Sequence, residues 1–371
     1  MTKRYLSLDV LRGLTVAFMI IVNNPGSWSK IFPPLRHAAW DGCTPCDLVF
    51  PFFLFCVGAS MAFALAKYTS LTWGAAGKIF KRGVLLYLVG LLLTAFPFYP
   101  ADPNPELSFW QNWVEWASHL RLLGVLPRIA MCYVVASVLV LWLRKPGRLL
   151  GVIAFLSLAH VGLLVAFPGP DGAFMPLGGL AQKVDLAIFG ENHMYRLSYA
   201  GERIPFDPEG LLGVLTGTCT VIIGYLTGAM IRSSESKVEV SARLFSISAG
   251  VLLLGLALGL VIPVNKALWS VSYVFYAAGW AMFVLALLIY LIDVRGWEKP
   301  FFPFKALGMN ALALFVLSGL IMKINWRYIE WDYTQVFGAN EGMSLLFAVL
   351  YMILHLAIAV LMYRKKIFIK L

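Results

Sequence analysis

This chain has little charge for its length. Only 13% of its 371 residues are Asp, Glu, Lys or Arg, against 60% hydrophobic residues. A soluble protein of this length would need more polar surface to cover its core. Carboxylates inside apolar runs are scarcer still. Asp9, Asp47 and Asp293 all fall near the ends of such runs. Proton- and ion-coupled transporters place ionisable groups deep in the bundle, so this scarcity weighs against secondary transport. No internal repeat is evident, and a two-halves transporter gains no support. The chain has no GxxxxGK[ST], no HExxH and no GxSxG opening a helix, so P-loop, zinc-protease and nucleophile-elbow chemistry have no footing.

What recurs is apolar sequence of membrane-spanning length, with a mean hydropathy of +0.79. About ten spans are expected, near 6–24, 47–67, 79–99, 123–143, 148–167, 210–231, 244–263, 269–292, 305–322 and 343–363. The expected fold is all-α, a polytopic helical membrane protein. The basic start Met1–Tyr5 runs straight into the first span without a small-residue cleavage site, so no cleavable signal peptide is expected. Lys and Arg set the orientation. One set of span ends carries 19 of them, among them Lys3, Arg4, Lys78, Lys81, Arg82 and Lys370, and the other set carries 9. The richer side is expected to be cytoplasmic, with both termini inside. The net charge of +11 then reflects positive-inside loops rather than nucleic-acid binding. The long loops 25–46, 100–122, 168–209 and 323–342 all face out, where a substrate is expected.

Several polar residues sit where lipid would exclude them. Asp9 and Arg12 lie three apart on one face of the first span, as an intrahelical pair or a functional one. Asn23 follows eleven residues later, roughly 16 Å along the axis, where it caps the helix end or donates to a developing oxyanion. Lys78, Lys81 and Arg82 at the cytoplasmic rim are positive-inside anchors or a phosphate clamp. Arg128 stands just inside the fourth span, after Pro127. His160 and His355 lie in spans and are expected to be packing residues. His37, His119 and His193 are on outward loops, where imidazole is suited to proton transfer.

The stretch RHAAWDGCTPCDL, residues 36–48, crowds His37, Cys43 and Cys46 beside Asp41 and Asp47. A single CxxC without a partner pair is a weak zinc signal, and no thioredoxin-like context supports redox chemistry. A local disulfide and two packed thiols both remain open readings. Trp40 and Trp269 suit either an interfacial belt or the apolar face of a sugar ring. Asp207 and Glu209 read as helix N-terminal charges beside Pro208.

SLDVLRGL, VNN and HAAWDGCTPCDLVFPFFLFCVGAS, with LRLLGVLPRIAMCYV, NHMYR, FDPEGLLGVL, NKALWSVSYVFYAAG and FPFKALGMNAL, resemble the heparan-α-glucosaminide N-acetyltransferase family, its bacterial members included. The blocks cover almost the whole chain. The resemblance implies one transmembrane acyltransferase domain over residues 1–371. It implies transfer of acetyl from cytosolic acetyl-CoA to the amine of glucosamine, or of a terminal glucosamine on a saccharide, at the periplasmic side. It puts the active-site histidine at His37, the assisting asparagine at Asn23, and arginines at Arg12, Arg82 and Arg128, to which Lys78 is added at the cytoplasmic mouth for the CoA phosphates. Asp41, Asp47, His193, Asn265, Trp269 and Ser272 are the candidates for the sugar. The resemblance further implies a homodimer, and a chain that begins at its first span suggests the bacterial inner membrane. No metal and no nucleic acid are expected. The competing function is an amino-sugar permease, which has no use for a phosphate clamp. O-acylation of a cell-surface polysaccharide is a third.

Overall fold

The computed structural model describes residues 5–369. Lys3, Arg4 and Lys370, three of the charges from which the orientation is expected, lie outside them. The chain opens with α1 (Leu6–Asn23) and α2 (Val49–Ala64), the second entered through a 3₁₀ turn at Pro45–Leu48. Next come α3 (Trp73–Ala95), the short α4 (Phe109–Ser118), α5 (Val125–Leu143) and α6 (Pro146–Ala166). The long loop after α6 contains α7 (Leu180–Phe189) and a hairpin of β1 (Arg196–Tyr199) and β2 (Glu202–Pro205). Ala200 and Gly201 turn that hairpin with φ of 52° and 86°, the positive values a tight two-residue turn demands. Then follow α8 (Gly213–Ser233), α9 (Lys237–Gly259), α10 (Val271–Leu288), α11 (Phe302–Met309), α12 (Ala311–Ile324), α13 (Thr334–Phe337) and α14 (Glu341–Arg364).

Among the described residues nine helices are long and apolar enough to cross a membrane, and the chain is an all-α polytopic membrane protein. The tenth expected span, the third in order, is α3. It is 23 residues long, but Lys78, Lys81 and Arg82 occupy its first turns, so its apolar part is short. It starts at Trp73 because Thr72 accepts the Ala75 N–H as N-cap. Likewise α9 starts seven residues before the expected 244, because Ser236 caps Glu239 N–H and two charged turns precede the apolar run. The ninth expected span is broken at Asn310 between α11 and α12. The Asn310 side chain donates to Ile367 O and accepts from Ile369 N–H, tying the break to the segment after α14.

Small residues let these helices meet closely. A Cβ on Gly13 would collide with Phe304 O, and one on Gly308 with Asp9 O, so α1 and α11 cross with backbones in contact. On α8, Gly224 and Gly228 admit the carbonyls of Phe55 and Ala59 of α2 in the same way. Membrane helices gain most from such packing, since lipid is as apolar as a leucine side chain. The α2–α8 contact is the centre of the main core, with Leu54, Phe55, Ala59, Val221 and Ile222 all buried. A face of short connections and a face of long loops result, and α1 runs from the first to the second.

Candidate active site

The long loop between α1 and α2 carries His37, and local bonding fixes it. Thr44 and Asp47 form a reciprocal cap at the turn that starts α2. The Asp47 carboxylate is 2% exposed. Its Oδ2 accepts from Ala38 N–H at 3.0 Å, Thr44 N–H at 3.1 Å and Thr44 Oγ1 at 3.1 Å. Its Oδ1 lies 2.7 Å from His37 Nδ1. A carboxylate accepts only, so Nδ1 carries a proton, and in the neutral ring Nε2 has the lone pair. Tyr273 of α10 donates its hydroxyl to Asp47 O at 2.6 Å, holding this corner to the core.

A second loop comes from the other side. Lys266, between α9 and α10, places Nζ 3.1 Å from His37 Nδ1, 3.5 Å from Nε2 and 3.5 Å from Asp47 Oδ1. His37, Asp47, Lys266, Trp40, Tyr195 and Glu209 line a pocket of about 330 Å³. Arg121 closes its far wall. It donates to both Asp207 oxygens, at 2.8 and 2.6 Å, and to Glu209, and its guanidinium stacks over Tyr195. Those two carboxylates hold Arg121 well above its ordinary pKa despite its burial. Trp40 donates Nε1 to Phe174 O and meets Tyr199 and Phe206 edge-on, so the hairpin loop is pinned over the pocket.

A larger cavity, about 500 Å³, opens between α1, α2, α3, α5 and α12. Arg12 and Arg82 line it together with Ser60, Tyr133, Met19 and Phe53. Arg12 is held by Asp9 Oδ1 at 3.4 Å, Gly308 O at 3.1 Å and the Ser60 hydroxyl. Arg82 sits over the Tyr133 ring. The remaining lining is chiefly apolar. Arg12, Met19 and Asn23 are spaced i, i+7, i+11, so Asn23 continues the same α1 stripe toward the long-loop face.

A family model described as "Heparan-alpha-glucosaminide N-acetyltransferase, catalytic" matches residues 4–184, which include both α1 and the His37 loop. The chain is 28% identical to the human heparan-alpha-glucosaminide N-acetyltransferase, over 99% of its length and 60% of the human protein's. It is 28% identical to the mouse protein, over its whole length and 61% of the mouse protein's. The chain is similar to this family over almost its whole length. It spans about 60% of the length of the curated relatives it matches.

The structure distributes the residues expected from the family resemblance unevenly. His37 and Asp47 share the outer pocket, and Arg12 and Arg82 share the inner cavity. Lys78, one turn before Arg82, does not line that cavity. Arg128 is fully buried elsewhere: it donates to Gly210 O at 2.6 Å and lies over the Trp269 ring. Asn24, rather than Asn23, is the buried one of the pair and donates back to Ile20 O, while Asn23 is exposed. Three of the sugar candidates are scaffold. Asn265 donates to Trp40 O and to Asp41 Oδ1, which ties the two pocket loops together. Trp269 is buried against Phe50 and Tyr273, and Ser272 donates to Pro263 O. His193 donates to Leu120 O outside the pocket. Lys266, Arg121, Tyr195 and Glu209 were not among the expected site residues. Lys266 and Arg121 are two of the nine Lys and Arg at the long-loop ends of the expected spans.

Cys43 and Cys46 stand as separate thiols. Burial and the neighbouring Asp47 push the Cys43 thiol up to about 12, so it is not a ready thiolate. Among the described residues no group of three or more His, Cys, Asp or Glu is arranged to hold a metal ion.

Proposed function

We propose that this chain passes acetyl from cytosolic acetyl-CoA to the free amine of a glucosamine-type sugar at the long-loop face. The observation that carries this reading is the pairing of two sites: an Asp47-oriented imidazole open to the outer pocket, and an arginine-lined apolar cavity beneath. CoA phosphates suit Arg12 and Arg82, whose planar forks match phosphate oxygens. The pantetheine arm suits the apolar lining of Met19 and Phe53, along the α1 stripe that ends at Asn23. His37 Nε2 takes a proton from the attacking amine, the new C–N bond forms, and the C–S bond breaks. The proton then passes to the departing sulfur, leaving CoA as the thiol and the sugar as the acetamide. Direct transfer needs no acyl-imidazole exposed to water. The homodimer is part of the same proposal and rests on the family resemblance.

The test is purified protein in liposomes with labelled acetyl-CoA and glucosamine or short glucosamine oligosaccharides, with His37→Ala as control. Acetylated sugar is expected from the intact protein and not from the variant. Uptake of unmodified sugar with no transfer would favour the permease. A labelled acetyl adduct on His37 in the absence of sugar would replace direct transfer with a two-step route.

A further inference from the structure

Resting on the acetyl-transfer reading, we propose that Lys266 is a catalytic residue, the electrophilic group that holds the oxygen of the reacting carbonyl as the tetrahedral intermediate forms beside His37. Acyl transfer to an amine puts a negative charge on that oxygen, and a donor must already be aimed at it. Among the described residues Lys266 Nζ is the cation in contact with His37, at 3.1 and 3.5 Å from its two nitrogens. Its tie to Asp47 Oδ1 is the longest contact that carboxylate makes, at 3.5 Å. Asp47 is already satisfied by four shorter bonds. Lys266 is therefore not needed to satisfy Asp47. His37 Nδ1 donates to Asp47 and cannot also accept from an ammonium. Nε2 at 3.5 Å is at best a weak acceptor. At least one of the three ammonium N–H groups has no protein acceptor among the described residues, and the side chain is 22% exposed toward the pocket.

The backbone around Lys266 is rigid in the way a preorganised donor requires. Gly42 N–H donates to Val264 O at 2.7 Å, Trp269 N–H to Lys266 O and Ser270 N–H to Asn265 O. Asn265 N–H donates to Ser270 Oγ and its side chain bridges to Trp40 O. Trp269 adopts φ of 53°, a left-handed conformation that a bulky residue enters only at a cost. Complete burial beneath Arg128 and a bond from Nε1 to Thr220 hold it there. Strain three residues from Lys266 is maintained by packing, and it fixes the tight turn that presents the ammonium. As His37 takes the amine proton, a second positive charge develops beside Lys266. Asp47 and the new oxyanion are the two negative charges that hold the pair together.

Lys266→Ala, Lys266→Met and Lys266→Arg decide it by steady-state kinetics on acetyl-CoA and glucosamine. The expected result is a kcat about 10²–10³-fold lower for Ala and Met, with both KM values within about threefold of wild type and CoA binding unchanged. Arg keeps a donor and a charge and should recover at least tenfold over Met. Met retains the apolar stem, so it covers the case in which Ala fails to fold. A Met variant with more than about a third of wild-type kcat, or a loss confined to KM, overturns the proposal. Wild-type protein that transfers no acetyl overturns the acetyltransferase reading and this role with it. Transfer by wild type with an undiminished Lys266→Met overturns the lysine's role alone.

Discussion

The two cavities are built by opposite means. The outer pocket is made of loops, and bonds between side chains and backbone fix its walls: Asp47 takes four, Arg121 reaches two carboxylates, and Asn265 bridges the loops. The inner cavity is made of helix faces. Two arginines stand there in a mostly apolar wall, and Arg82 has an aromatic ring for company. The first arrangement suits proton transfer, which needs fixed angles and a fixed tautomer. The second suits a long ligand with a charged head, which needs a channel and a place to anchor it. Substitutions should separate along the same line, with outer changes appearing in kcat and inner ones in KM.

The largest effect should come from His37→Ala. Loss of the base lowers kcat for acetyl transfer by at least about 10³-fold, while CoA binding, measured by calorimetry in detergent, stays within a factor of two or three. Weaker CoA binding would mean that the two cavities are not separate sites. Asp47→Asn comes next. The amide must turn an N–H toward either His37 or the backbone donors of Ala38 and Thr44, so the tautomer and the loop cannot both be kept. A fall in kcat of about 10²-fold is expected, with KM for acetyl-CoA nearly unchanged. Arg12→Ala and Arg82→Ala should show the reverse. Each removes a charged hydrogen-bonding group of about 1.5–3 kcal/mol, so KM for acetyl-CoA rises roughly 10–100-fold and kcat moves little. Initial-rate measurements over a range of acetyl-CoA check both.

The contrast also explains what could be read in advance. Helical spans follow from runs of apolar residues, and the sequence carries those plainly. Nine of the expected spans met the length and hydropathy that the structure shows. Span edges were less legible, because caps such as Thr72 and Ser236 lie outside the apolar runs. The break at Asn310 depends on contacts with residues 367 and 369, which no local pattern encodes. In the site, His37 stood out by its motif, and Arg12 by being a charge inside a span. Lys266 did not, for it lies 229 positions from His37 and counted only as one of many outward charges. Trp269 and Asn265 suit a sugar by residue type, but residue type cannot distinguish a pocket wall from the scaffold behind it.

The smallest effect expected concerns that scaffold. Asp185 of α7 accepts from Leu211 N–H at 2.9 Å, just after the segment that carries Asp207 and Glu209. Burial, with repulsion from Asp207, raises its carboxyl from 3.8 to about 6, although the Leu211 bond and Arg128 pull the other way. A folded-state pKa above the unfolded value means that folding favours the protonated form. That contribution is fully present below about pH 4 and is lost as pH rises through 6. Above pH 6 the buried carboxylate therefore costs stability, by no more than about 3 kcal/mol at 1.4 kcal/mol per pKa unit. Asp185→Asn keeps the acceptor oxygen for Leu211 without the charge. Its melting temperature in detergent should exceed wild type by a few degrees at pH 7.5, and the difference should vanish near pH 4. Arg12→Ala, in the inner cavity, should show no such gain at pH 7.5. An Asp185→Asn variant less stable than wild type at pH 7.5 would mean that the ionised carboxylate supports the long-loop face, through Arg128 or through the turn at Gly210.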